Sequence, residues 1–239
     1  MFFILPLITR LGLPETLSAS VVFALSIPNV QSHMNDAGLI QGSSNFLLAV
    51  LIMKEVFIGL LLGLFAGAPF WAMEMAGNIL DFERQAPNAD VQDPNGTTES
   101  SVTGTLLVLF AVVYAVAAGA LQIIADLLYE SYRLWPLVEF YPKLNPSAGV
   151  EIWRMLHSVM KIAFLLAAPL MLPMFLAIFA LLITTRVAPQ LNAFDLSLPV
   201  RNIAFFALLP FYAAFLTEYF SDKVPKSINV LETLKALLT

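Results

Sequence analysis

Four apolar stretches, separated by polar connectors, constrain this chain more than any other feature: Phe46–Met73, Val102–Tyr129, Met160–Thr185 and Ile203–Phe220. A helix rises about 1.5 Å per residue, so about 20 residues cross a hydrocarbon layer about 30 Å thick. The first three stretches are long enough, and the fourth is close. Each would be a helix, because a spanning backbone must satisfy its own N–H and C=O groups. The expected fold class is therefore all-α, in a membrane or in a very apolar assembly. Of the residues, 59% are hydrophobic and 12% charged, against about 25% charged in soluble domains.

Between the first two spans lies a polar island, Glu74–Gly104, holding Glu74, Asp81, Glu83, Arg84, Asp90, Asp93 and Glu99. Its Asn, Asp, Pro, Gly and Ser residues favour turns. Irregular backbone cannot face lipid, so the island sits either in water or in protein that satisfies it. Thr184–Asn202 reads as a second polar connector. Met1–Val30, punctuated by Gly12, Pro14 and Pro28, reads as two half-length helices or one broken span. Pro69, Pro169, Pro173 and Pro210 lie inside apolar runs, where a missing N–H and a ring clash predict bends or breaks. One domain over residues 1–239 is expected, ending in an amphipathic tail, 221–239. The tail's Lys223, Lys226 and Lys235 place it on the cytoplasmic side by the positive-inside rule. The short Met1–Ile8 run does not read as a cleavable signal.

Within Phe46–Met73, Gly59, Gly63 and Gly67 recur at spacing four and so share one helix face. That ladder either admits a close backbone neighbour or reflects the ordinary frequency of small residues in apolar helices. Lys54 and Glu55 sit in the same stretch. They are about 100° apart around the helix, so mutual pairing cannot be assumed. They either face protein or water, or snorkel from a helix end.

Catalytic chemistry has little to work with. His33 and His157 show no metal-ligand spacing, and no phosphate loop, dinucleotide fingerprint or nucleophile elbow appears. Cysteine is absent, which removes disulfides, thiolate ligands and thiol nucleophiles. The net charge of −5 comes with no basic run, so nucleic acid finds no electrostatic footprint. No catalytic residue, metal or cofactor is expected.

Two groups of residues carry a family resemblance. The first is Gly77-Asn-Ile-Leu-Asp81-Phe-Glu-Arg84, Asp93-Pro94, Ser101, Gly104 and Ser131-Tyr132-Arg-Leu-Trp135-Pro136-Leu137. The second is Arg186-Val-Ala-Pro189-Gln190-Leu191-Asn192-Ala-Phe194, then Pro199 and Arg201. From about Phe46 to Phe220 the chain resembles the T-type inner-membrane export apparatus proteins of type III secretion systems, relatives of flagellar FliR. Glu83-Arg84-Gln85 stands where that family usually shows Gln-Arg-Gly.

The resemblance implies a structural subunit, one copy per complex, joined to R-type and S-type subunits with the U-type switch protein nearby. It implies bent helical hairpins partly raised from the bacterial inner membrane toward the periplasm, passing unfolded secreted proteins. Asp81, Arg84, Asp93, Pro94, Arg186, Pro189, Gln190, Asn192, Pro199 and Arg201 would then be structural or assembly residues, as would the glycine ladder. Arg186 and Arg201 are expected to anchor the arms of a tight hairpin tip at Pro189–Pro199, with Asp195 as a possible partner. Met160, Met171 and Met174 are candidates for a deformable seal, set against their ordinary use in packing. The rival reading is a secondary transporter for a small solute, which would show paired inverted repeats about a midplane site. Broken helices are expected, but no repeat is visible.

Overall fold

A computed structural model describes residues 1, 4–10, 14–32, 45–84, 91–92, 99–136, 148–188, 190 and 192–227. The helices are α1 (Pro6–Thr9), α2 (Glu15–Ser32), α3 (Asn45–Glu83), α4 (Val102–Ala117), α5 (Ala120–Leu134), α6 (Ala148–Val187) and α7 (Ala193–Ser227). Between α3 and α4 a two-residue antiparallel ladder pairs β1 (Val91–Gln92) with β2 (Glu99–Ser100), Val91 opposite Ser100. The all-α expectation holds apart from this ladder. Among the described residues, three helices are long and apolar enough to cross a membrane, or up to four if α4 and α5 form one span.

The helix boundaries differ from the sequence reading in three places, each with a physical cause. First, the expected breaks at proline are absent: α3 runs through Pro69, α6 through Pro169 and Pro173, and α7 through Pro199 and Pro210. Each proline forfeits one hydrogen bond, a loss an apolar helix tolerates when neighbouring groups re-satisfy the freed carbonyl.

Second, Val102–Tyr129 is not one helix. It breaks at Ala118–Gly119 and bends by 76°. Gly119 is left-handed, φ 81° and ψ 23°, a conformation that costs any residue with a Cβ.

Third, much of the polar connectors is helical. The island supplies the last turns of α3 and the first of α4, and the second connector shrinks to Ala188–Asn192. Asn192 starts α7: its Oδ1 accepts the Phe194 N–H at 3.1 Å, and its Nδ2 donates to Asp195 Oδ2 at 2.7 Å. This is N-capping, the ordinary use of Asn before a helix.

Packing divides the chain into two compact units: 1–69 with 112–156 and 226–239, and 70–111 with 157–225. In the first, Leu62 and Phe65 of α3 pack with Leu127 of α5 and Met155 of α6. In the second, Val159, Ala163, Leu166, Leu170 and Met174 form the buried stripe of α6. Their spacing of three and four residues is that of one helix face. Beyond Met174 burial stops: no described residue from 175 to 204 is buried. Phe175, Leu176, Phe179, Leu182 and Ile183 are all exposed.

Candidate functional site

The second unit holds a buried polar cluster where α3 ends and α4 begins. Leu80 and Ala76 turn one face of α3 inward, and Asp81 and Arg84, three residues apart, meet beside that face. The Asp81 carboxylate accepts from Arg84 Nη2 at 2.5 Å, Thr103 Oγ1 at 2.5 Å and the Thr103 N–H at 2.8 Å. It also accepts from the Ser101 hydroxyl. The Arg84 guanidinium donates to Thr103 Oγ1 at 3.3 Å and stacks 4.1 Å over the Phe205 ring of α7. Asp81, Arg84 and Thr103 are each less than a tenth exposed.

Helix-end chemistry explains why these residues meet. The first N–H groups of a helix and its last carbonyls have no partner within the helix, and they carry partial charge. At the start of α4, Ser101 accepts the Gly104 N–H at 2.8 Å while Asp81 takes the Thr103 N–H. At the end of α3, Arg201 of α7 donates to the Glu83 carbonyl, and its guanidinium lies 3.8 Å from the Glu83 carboxylate. An anion therefore faces the positive helix end and a cation the negative one.

The two helices approach closely because Gly77 meets Gly104. A Cβ on Gly77 would overlap the Gly104 backbone and lie 2.6 Å from the Thr103 carbonyl carbon. On Gly104 it would lie 2.6 Å from Asn78 Oδ1. With four donors from the chain itself, Asp81 is committed to holding α3 and α4 together. The arrangement suits a structural lock.

The first unit has its own buried cation. Lys54 Nζ donates to the Pro136 carbonyl at 3.0 Å, pairs with Glu55 at 3.2 Å and sits 5.4 Å over the Trp135 ring. The snorkelling alternative is thus excluded, and adjacency did not prevent pairing. A lysine stem is long enough to bring its charge back across the 100° between neighbours.

Gly59 and Gly63 admit the Met1 backbone, whose nitrogen would lie 3.2 Å from a Cβ on Gly59 and whose oxygen would lie 3.0 Å from one on Gly63. Gly67 is buried. Of the three methionines, Met174 is buried, Met171 half-buried and Met160 exposed. Arg186 and Gln190 are exposed. Asp195 engages Asn192, and Arg201 reaches the Glu83 carbonyl at the end of α3. Pro199 lies within α7. Asp93, Pro94, Pro189, His33 and the tail beyond Ser227 lie outside the described residues.

The structure thus gathers Asp81, Arg84 and Arg201 into one cluster. Sequence reasoning missed Thr103, Phe205 and the Lys54–Pro136 contact. A signal for the first existed: Ser101 directly before an apolar run is an N-cap signature, and it marks the helix start that Asp81 caps.

A scan against family models matches residues 1–226 to "Bacterial export proteins, family 1". The chain belongs to this family. Among similar proteins, the Yop proteins translocation protein T of Yersinia pestis is 36% identical over 194 residues, 78% of this chain and 74% of that protein. The surface presentation of antigens protein SpaR of Salmonella typhimurium is 32% identical over 170 residues, 70% of this chain and 63% of that protein. The flagellar biosynthetic protein FliR of Bacillus subtilis is 29% identical over 161 residues, 67% of this chain and 62% of that protein. These names describe translocation and flagellar components, not enzymes. With its long apolar helices, this bacterial export protein is a membrane protein.

Proposed function

We propose that this export protein is the T-type structural subunit of a type III secretion export gate in the bacterial inner membrane. One copy joins R-type and S-type subunits, with the U-type switch protein nearby, around the path taken by unfolded secreted proteins. Residues 1–239 act as a single subunit whose two packed units serve one assembly. It does its work by packing and shape, without a catalytic residue or cofactor.

The observation that carries this reading is the stretch from Phe175 to Ala204. Apolar side chains cover it, yet no described residue in it is buried. Several of its polar side chains bond within their own helix: Thr184 donates to the Ala180 carbonyl at 2.9 Å, Ser197 to Phe194 at 2.8 Å and Asn202 to Leu198 at 3.1 Å. Hydroxyls and amides bonded in this way can meet lipid or neighbouring helices. The relatives' roles in translocation and secretion favour neighbouring helices.

The test is copurification from native membranes. The chain is expected to come out in fixed stoichiometry with R-type and S-type subunits. A monodisperse, solitary chain that binds a small solute would favour the transporter reading instead.

A further inference from the structure

The 76° bend between α4 and α5 rests on very little. Ala117, Ala118 and Ala120 are good helix formers, so only the left-handed Gly119 interrupts what would otherwise be a continuous helix. Among the described residues, nothing lies within 4 Å of where a Gly119 Cβ would be, so none of them enforces the turn by packing there.

What holds α5 folded back is mostly at its other end, beside a 3.5 Å bond from the Tyr129 hydroxyl to the Leu25 carbonyl of α2. Trp135 and Pro136, which follow α5, are held by Lys54 of α3 through the Pro136 carbonyl and the indole face. Glu55 completes the grip by pairing with Lys54. Leu127 also packs on Leu62 and Phe65. Among lipid tails such apolar contacts have little driving force, and polar contacts carry more of the preference.

Length supplies the second argument. As it stands α4 has 16 residues, about 24 Å, short of a hydrocarbon layer of about 30 Å. The run Val102–Ala125 contains no Asp, Glu, Lys or Arg; made straight, it would reach about 36 Å, enough to span.

We propose that α5 is a hinged arm, with Gly119 as its pivot and Lys54 as its latch. Releasing the latch converts the bent pair into one straight span. The arm Ala120–Arg133 is about 20 Å long, so a 76° swing carries its far end about 25 Å. This device is independent of the export reading, because its test measures a distance and not secretion.

The chain has no cysteine, so spin labels can be placed at V56C and R133C, both exposed positions in the first unit. Distances are measured by pulsed electron resonance on the full chain in its native membranes. The otherwise unchanged protein is expected to show one short distance. K54M is expected to add a discrete population longer by roughly 10 Å or more, given an arm of that length, and K54R, which keeps the charge, to suppress it. G119A is expected to raise the longer population by roughly tenfold, because alanine resists the left-handed region. G119N, which tolerates that region, should leave the distribution unchanged. Unchanged distances in both K54M and G119A would overturn the proposal. So would a broad smear replacing the short distance in G119A, which would mean that α5 unravels rather than swings.

Discussion

Replacing Asp81 by asparagine exchanges a carboxylate for an amide of the same shape and tests the lock directly. The carboxylate takes Arg84 and the Thr103 hydroxyl on one oxygen, and the Thr103 N–H and the Ser101 hydroxyl on the other. The two hydroxyls can rotate to become acceptors, but the Thr103 N–H and the Arg84 guanidinium cannot. Whichever way the new amide is turned, its NH2 therefore faces a donor that cannot become an acceptor. One stranded donor costs about 1–3 kcal/mol. If the amide oxygen faces Arg84, the guanidinium still loses its counter-charge while remaining buried, and breaking a buried pair costs about 3–5 kcal/mol. The two penalties overlap, so D81N is expected to destabilise by about 3–5 kcal/mol.

The assay is equilibrium unfolding of the purified chain in mixed micelles, followed by tryptophan fluorescence. D81L/R84M, which removes both charges, should recover part of the loss, because two apolar partners leave no buried charge uncompensated. The coupling between the two positions should exceed about 1 kcal/mol, beyond the range of independent sites. A D81N loss below about 1 kcal/mol, the low end for a stranded donor, would refute the lock, as would additive single effects.

Other expected outcomes follow from the same geometry. G77A gains helix propensity but drives a methyl into the Gly104 backbone, so a net loss of about 1–3 kcal/mol is expected in the same unfolding assay. S101A removes the cap of α4 and one donor to Asp81, for a smaller loss of about 1–2 kcal/mol. R186A alters an exposed side chain and should leave unfolding unchanged; copurification with neighbouring subunits and secretion should both fall. Wild-type levels of assembled complex and secretion in R186A would remove Arg186 from the assembly surface.

The membrane class and most of the helix inventory were legible because hydrocarbon length is a local property. Any window of the sequence long enough to span announces itself. Asp81, Arg84 and Arg201 were legible only as members of a pattern, since nothing local says that Arg201 meets Glu83 across 118 positions. Proline misled for a similar reason. Its cost is local, but whether a helix continues through it depends on whether surrounding groups take up the freed carbonyl. Gly119 was passed over because a glycine in an apolar helix draws no notice until its φ is known.

By itself the sequence determined that this chain forms long apolar helices joined by polar segments, for which lipid or other helices must provide the surroundings. Only the tertiary structure decided that Asp81 and Arg84 close on Ser101 and Thr103 as a lock, that Lys54 faces inward and that the bend falls at a glycine. Hydropathy is summed along the chain and can be read there. Pairing of buried charges and the hand of one backbone torsion depend on what arrives from elsewhere in the fold.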